Sequence, residues 1–234
     1  MLADTGVMTV PRVIAFDVNE TLLDLAALDG VFERAFGSAA VRAEWFALML
    51  QLTFVGGLTG RYVDFPSAQR AALSMLADAR EIALDEDVAE TLVARMRRLA
   101  PHPDAADALI RLSDAGLTLA ALTNSPLDTA REQLEHAGLA DRFAAILSAD
   151  DVRALKPRPE PYRLVADNFG VPVGDVRLVA AHAWDVSGAL AAGCAAAFVR
   201  RAGKVPSPLG DQPDIIGSGL DEVAARIVEI DAGR

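Results

Sequence analysis

Apolar residues recur along this chain in two rhythms. The first is the short unbroken run that stops at polar or turn residues: VIAF at 13–16, LTLAALTNS at 117–125, FAAILSAD at 143–150, VRLVAAHAWD at 176–185 and AAFVRR at 196–201. Runs of this kind predict strands buried on both faces, as in parallel sheets. The second is the three-to-four spacing of amphipathic helices. It predicts helices in LDGVFERAFG (28–37), VRAEWFALMLQLTFVGGL (41–58), FPSAQRAALSMLADA (65–79) and DEDVAETLVARMRRL (85–99). Further helices are predicted in DAADALIRLSDAG (104–116), with Asp104 as N-cap, and in PLDTAREQLEHAG (126–138), opened by Pro126 and closed by Gly138. EPYRLVADNFG (160–170) and the short VSGALAAG (186–193) complete the helical set.

The order of the two rhythms sets the architecture. After the first strand come some 70 residues of helix alone, punctuated by Gly30, Gly37, Gly56, Gly57, Gly60 and Pro66. From Pro101 onward strands and helices alternate, which implies a parallel sheet covered on both faces. The expected fold class is α/β, a doubly wound parallel-sheet core with a helical cap inserted after the first strand. Residues 11–25 and 100–230 form the core in this reading, 26–99 the cap, and 1–10 a disordered tail.

In an open parallel sheet ligands bind beyond the carboxyl ends of the strands. Asp17 ends the first strand, Thr123 and Asn124 the second, Lys156 lies shortly after the third, and His182 to Asp185 follow the fourth. One rim therefore collects carboxylates and an ammonium. A buried carboxylate is costly unless compensated, and a nearby lysine lowers its pKa. Simpler readings exist for each: Asp17 as an N-cap or turn former, and Thr123-Asn124 as a turn before Pro126. Arg158 reads as solvent-facing, His102 and His136 as surface residues, and Cys194 as core rather than nucleophile. Trp45, Phe46, Phe54, Tyr62 and Phe65 read mostly as cap core, some of them lining the cleft above the rim.

Composition narrows the setting. With 234 residues, 52% hydrophobic, the chain can bury a large core. A net charge of −11 argues against nucleic-acid and anionic-membrane partners. A small anionic substrate stays compatible, because exposed charges are screened beyond about 8–10 Å in physiological salt. The single cysteine fits a reducing cytoplasm. No apolar run approaches the roughly 20 residues that span a bilayer, and the N-terminal residues lack the basic and apolar regions of a signal peptide.

FDVNETLLD, LTNSP, LKPRPEPY and AHAWDVSGA, in that order, resemble the four motifs of the haloacid dehalogenase superfamily. The spacing and the helical insert, including GRYVDF at 60–65, resemble its type II (S)-2-haloacid dehalogenases. The resemblance spans about residues 11 to 225 and implies a hydrolase with no cofactor and no metal, often a homodimer. It makes Asp17 the nucleophile and Thr21 the support of its loop. Lys156 would neutralise nucleophile and substrate, and Asp185 would hold Lys156 and help activate water. Val18, Asn19, Thr123, Asn124, Phe46, Tyr162, His182 and Trp184 would form the substrate-binding set.

The implied reaction has two steps. Asp17 displaces halide from C2 of a small 2-haloacid to give an aspartyl ester, and water then hydrolyses the ester to the 2-hydroxy acid. Phosphatases of the superfamily carry a second aspartate two residues after the nucleophile and a metal-binding carboxylate four residues before the last aspartate. Here Asn19 and Ala181 stand at those positions, so neither proton donor nor metal anchor is present. Three positions depart from the dehalogenase pattern: Phe46 for the halide-binding cap arginine, His182 for an asparagine, and Glu20 for a glycine. With Phe46 in place of arginine, His182 and the Trp184 N–H become the expected halide donors. The alternatives are another hydrolase of the superfamily, of phosphatase or phosphonate type, or a non-catalytic binding protein of the same fold.

Overall fold

The structure is a computed structural model that describes residues 13–85 and 87–232; the tail expected over residues 1–10 lies outside them. In chain order come β1 (Val13–Phe16), β2 (Leu23–Asp24), α1 (Asp29–Phe36), α2 (Val41–Thr59), α3 (Phe65–Ala79), α4 (Val88–Met96) and β3 (Ala100–Pro101). These are followed by α5 (Ala105–Asp114), β4 (Thr118–Thr123), α6 (Leu127–His136), β5 (Ala145–Ser148) and α7 (Pro159–Phe169). The last elements are β6 (Val176–Ala180), α8 (Ala183–Ala192), β7 (Ala195–Val199), β8 (Ile215–Gly217) and α9 (Leu220–Ile227).

The main sheet has the order β5-β4-β1-β6-β7-β8, with every pairing parallel. From β1 the chain runs outward to β4 and β5, then crosses back to β6 on the other side. The crevice between the carboxyl ends of β1 and β6 is thus the switch point at which such sheets bind ligands. Period-two alternation assigns the faces. Val13 and Ala15 pack with Tyr162, Val165 and Ala189 of α7 and α8. Ile14 and Phe16 pack with Leu109 and Leu112 of α5 and Val223 of α9. That second core continues without a break into the helices between β2 and β3, through Phe32, Trp45, Met49 and Leu73. The chain leaves and re-enters the sheet layer through an antiparallel ribbon in which Leu23 pairs with Pro101 and Asp24 with Ala100.

Some expectations need correction. The run at 176–185 is not all strand: β6 stops at Ala180, and α8 begins at Ala183. The Ala181 N–H leaves the ladder to donate to Thr21 Oγ1 at 3.0 Å, and the His182 carbonyl accepts from Asp185 and Val186 to open the helix. Asp185 therefore projects from the first turn of α8. Asp104 makes no side-chain cap on its own helix. It accepts two hydrogen bonds from Arg201 and one from the Leu220 N–H, at the start of α9. His102 is half-buried rather than a surface residue, and burial chiefly lowers its pKa. The pair β8–α9 had no place in the sequence reading.

Candidate active site

Asp17 follows directly on β1, and its backbone N–H extends the ladder to Val179 at 3.0 Å. The residue is 5% exposed, so its charge needs internal partners. Lys156 supplies the first: its Nζ stands 2.9 Å from Asp17 Oδ1, 2.6 Å from Asp185 Oδ2 and 3.0 Å from the Leu122 carbonyl. Thr21 donates to Asp17 Oδ2 at 2.6 Å, and His182 Nδ1 lies 3.2 Å from the same oxygen. Asp185 is fixed on its other oxygen by the Tyr162 hydroxyl at 2.6 Å. Tyr162 can reach it because Gly188 leaves α8 without a side chain there; a Cβ would lie 2.6 Å from the Tyr162 hydroxyl and 2.5 Å from Pro157.

Electrostatics follow the contacts. Burial alone would raise the Asp17 pKa, but the Lys156 ammonium, His182 and Thr21 outweigh it and hold the carboxyl well below the usual carboxylate range. Burial opposes charge on Lys156, yet Asp17 and Asp185 together raise its pKa. At His182 burial is again outweighed, by hydrogen bonds to Asp17 and Glu20, and the pKa rises. Asp185 is pushed upward by burial, against the pull of Lys156. The Cys194 thiol, also buried, is pushed up to about 12, which suits a core residue.

The structure brings Asp17, Asn19, Phe46, Thr123, Asn124, Lys156, His182 and Trp184 around one small cavity, together with Leu50 and Phe65. The space is only about 10 Å³, near the room one water needs. A larger cavity of about 490 Å³ lies alongside, between the end of α2 and residues 153–158, and shares only Lys156 with the first. Phe54 of the larger cavity meets Trp184 of the smaller edge-on, with ring centroids 5.4 Å apart.

Several residues stand differently from expectation. Tyr162 is 1% exposed and lies behind Asp185, not in the cavity. The Val18 side chain belongs to the core. The Asn124 amide is taken up at both ends by the Lys156 backbone, at 2.8 and 3.2 Å, so it positions the lysine. The Asn19 amide is held by Ser125 and Gln133. His182 has no ring nitrogen turned to a leaving group: Nδ1 faces Asp17, and Nε2 lies 2.9 Å from Glu20 Oε2. Trp184 Nε1, by contrast, is buried without a hydrogen-bond partner. Glu20, Lys204, Gln133 and Ser125 escaped the sequence reading as site residues. Among the described residues no group of three or more His, Cys, Asp and Glu side chains is arranged to hold a metal ion.

Comparison with known proteins gives a consistent result. A family model for haloacid dehalogenase-like hydrolases matches residues 11–193. The haloacetate dehalogenase H-2 of Moraxella sp. (strain B) is 30% identical over 90% of this chain and 95% of its own length. The (S)-2-haloacid dehalogenase of Pseudomonas sp. (strain YL) is 33% identical over 86% and 88%. Among solved structures, the L-2-haloacid dehalogenase from Xanthobacter autotrophicus with chloropropionic acid covalently bound superposes with a TM-score of 0.86. It shares 28% identity and the match covers 94% of this chain and 98% of that one.

Proposed function

This chain belongs to the haloacid dehalogenase-like hydrolases, and from that membership we propose that it hydrolyses small 2-haloacids to 2-hydroxy acids through an ester on Asp17. The observation that carries the reading is the Lys156 ammonium seated between Asp17 and Asp185 at the switch point of the sheet. It favours the ionised form of Asp17, and a carboxylate is the form that can displace halide. The similarity to a haloacetate dehalogenase and to (S)-2-haloacid dehalogenases supports the substrate class.

In the first step Asp17 attacks C2 and halide leaves. The Thr123 hydroxyl would meet the substrate carboxylate, the Lys156 ammonium, its three N–H groups already donated, adds its charge nearby, and Phe46, Leu50, Phe65 and Trp184 provide a dry wall. Halide departs without a proton, so the Asn19 amide, clamped by Ser125 and Gln133, suffices where an alkoxide would require an acid. The partnerless Trp184 N–H is the donor best suited to the departing halide. In the second step water attacks the ester carbonyl, and donors on the developing oxyanion contribute about 3–4 kcal/mol.

Helices α1–α4 act as the cap in this reading, and they must part from the sheet for substrate to enter so small a cavity. Among the described residues no helix is long and apolar enough to cross a membrane. The charge of −11 and the single cysteine support a cytoplasmic protein that binds neither nucleic acid nor membrane. Halide release measured across haloacetates and both enantiomers of 2-chloropropionate tests the function; no release from any of them would refute it.

A further inference from the structure

Glu20 occupies an unusual place. Its φ of 62° is left-handed, a conformation that costs a non-glycine residue about 1–2 kcal/mol. Its side chain is spent on His182, with Oε2 2.9 Å from Nε2, while Lys204 Nζ donates to the same oxygen at 2.6 Å. His182 is clamped on its faces as well: the Phe46 ring stacks at 5.7 Å and the Trp184 ring at 5.3 Å. The two stacked rings and the two ring-nitrogen contacts restrain the imidazole, and its Nδ1 is directed at the nucleophile, 3.2 Å from Asp17 Oδ2. Carboxylate, imidazole and reacting group stand in line, the arrangement by which an orienting acid fixes the tautomer of a catalytic base.

Resting on the dehalogenase reading, we propose that His182, oriented by Glu20, is the general base for hydrolysis of the Asp17 ester. Asp185 is poorly placed for that task, since Lys156 and Tyr162 occupy its two oxygens. The first step itself prepares His182. While Asp17 is a carboxylate, it and Glu20 hold a proton on the ring. Once Asp17 is an ester its negative charge is gone, the ring releases the Nδ1 proton to solvent along with the departing halide, and Nε2–H stays hydrogen-bonded to Glu20. Water then adds to the ester carbonyl carbon and passes a proton to Nδ1. Collapse of the tetrahedral intermediate breaks the bond from that carbon to the ester oxygen, and Nδ1–H returns the proton to the departing alkoxide. Collapse leaves Asp17 as a carboxylic acid whose proton passes to the Nδ1 just vacated, which restores both the Asp17 carboxylate and the protonated His182, and no oxidant or metal is required.

Two carboxylates, Asp17 and Glu20, set the His182 proton affinity. Lys204 and, at 3.9 Å, Arg42 oppose Glu20, while Lys156 opposes Asp17, itself shared with Asp185. Glu20 is thus a positioning residue with a charge that counts, which makes its role visible in a pH profile.

The test is single turnover with 2-chloropropionate, following halide and 2-hydroxy acid separately. His182→Ala is expected to keep a stoichiometric halide burst, to form hydroxy acid about 100-fold more slowly or worse, and to accumulate an Asp17 adduct detectable by mass spectrometry. Added imidazole should restore turnover. His182→Gln, which fills the space and still donates to Glu20, should behave alike and serves if the alanine variant does not fold. Glu20→Gln should shift the pH midpoint of ester hydrolysis downward while leaving the burst. Hydroxy acid formation at a near wild-type rate in both His182 variants would overturn the role. Loss of the burst in both, with the wild type bursting, would move His182 to the first step and overturn it too. A wild type that releases no halide would refute the dehalogenase reading itself, and this role with it.

Discussion

Arg201 holds Asp104 by two hydrogen bonds of 2.8 Å, and the same guanidinium donates to the Thr21 carbonyl at 2.8 and 3.2 Å. The loop after the nucleophile is thereby fastened to the start of α9, because Asp104 also accepts the Leu220 N–H. Arg201→Ala should lose about 2 kcal/mol, less than a fully buried pair since both side chains keep some exposure. It should also slow halide release by loosening Thr21 against Asp17. Urea melts and single-turnover halide release check both; an unchanged rate would separate the loop anchor from the chemistry.

Arg177 tests stability at the other end of the sheet. It is 1% exposed near the start of β6, with hydrogen bonds to Asp231 of 2.6 and 3.1 Å and a further pairing to Asp214. Arg177→Met would leave Asp231 buried without its cation, and about 3–5 kcal/mol should be lost. For a chain of this size that corresponds to a fall in Tm of roughly 6–20 °C. Halide release in the folded fraction should not change, and a parallel loss of both would contradict the separation of scaffold and site.

Five of the sheet's six strands were legible because they are unbroken apolar runs with helices between them, and because strand ends in such a sheet converge; the three-residue β8 was too short to stand out. That convergence made Asp17, Lys156 and Asp185 candidates before any contact was known. Glu20 was invisible as a partner of His182, since 162 residues separate them and a left-handed backbone turns the glutamate inward. Its mismatch to a glycine position was the available signal. Asp104 misled because an aspartate before a helix reads as its cap, and only Arg201, 97 residues away, diverts it. The α9 signal was present, with Leu220, Val223, Ala224 and Ile227 at helical spacing.

Chelation should leave the reaction untouched. Ala181 offers no carboxylate where a magnesium-dependent relative would place one, and halide needs no Lewis acid to depart. Turnover after EDTA treatment should equal that of the untreated protein, and restoration by added magnesium would point to phosphoryl chemistry instead.

Asp17→Asn imitates the neutral, esterified side chain. It should lower the rate of halide release by about 10⁴-fold or more, since the amide is not a competent nucleophile. The same change removes one of the two charges that hold a proton on His182. Its NMR titration should move to lower pH than in the wild type; an unmoved midpoint would mean that ester formation cannot release the proton.

The pH dependence of stability has a sign fixed by the same contacts. The native His182 pKa is raised above its ordinary value of 6.5, so between that pH and the native pKa the folded chain holds more protons than the unfolded one. Stability therefore falls as pH rises through this window, by at most about 1.4 kcal/mol per pH unit for one group. Asp17 acts in the opposite direction: its native pKa is depressed, so its contribution is full above the unfolded value of 3.8 and is lost as pH falls below it. Lys156, with a raised pKa, keeps its contribution below 10.5 and loses it above. Urea denaturation of wild type and His182→Gln from pH 6 to 9 isolates the histidine. The wild type should lose stability relative to the variant as pH rises, and parallel curves across that range would show that His182 is not held protonated between Asp17 and Glu20.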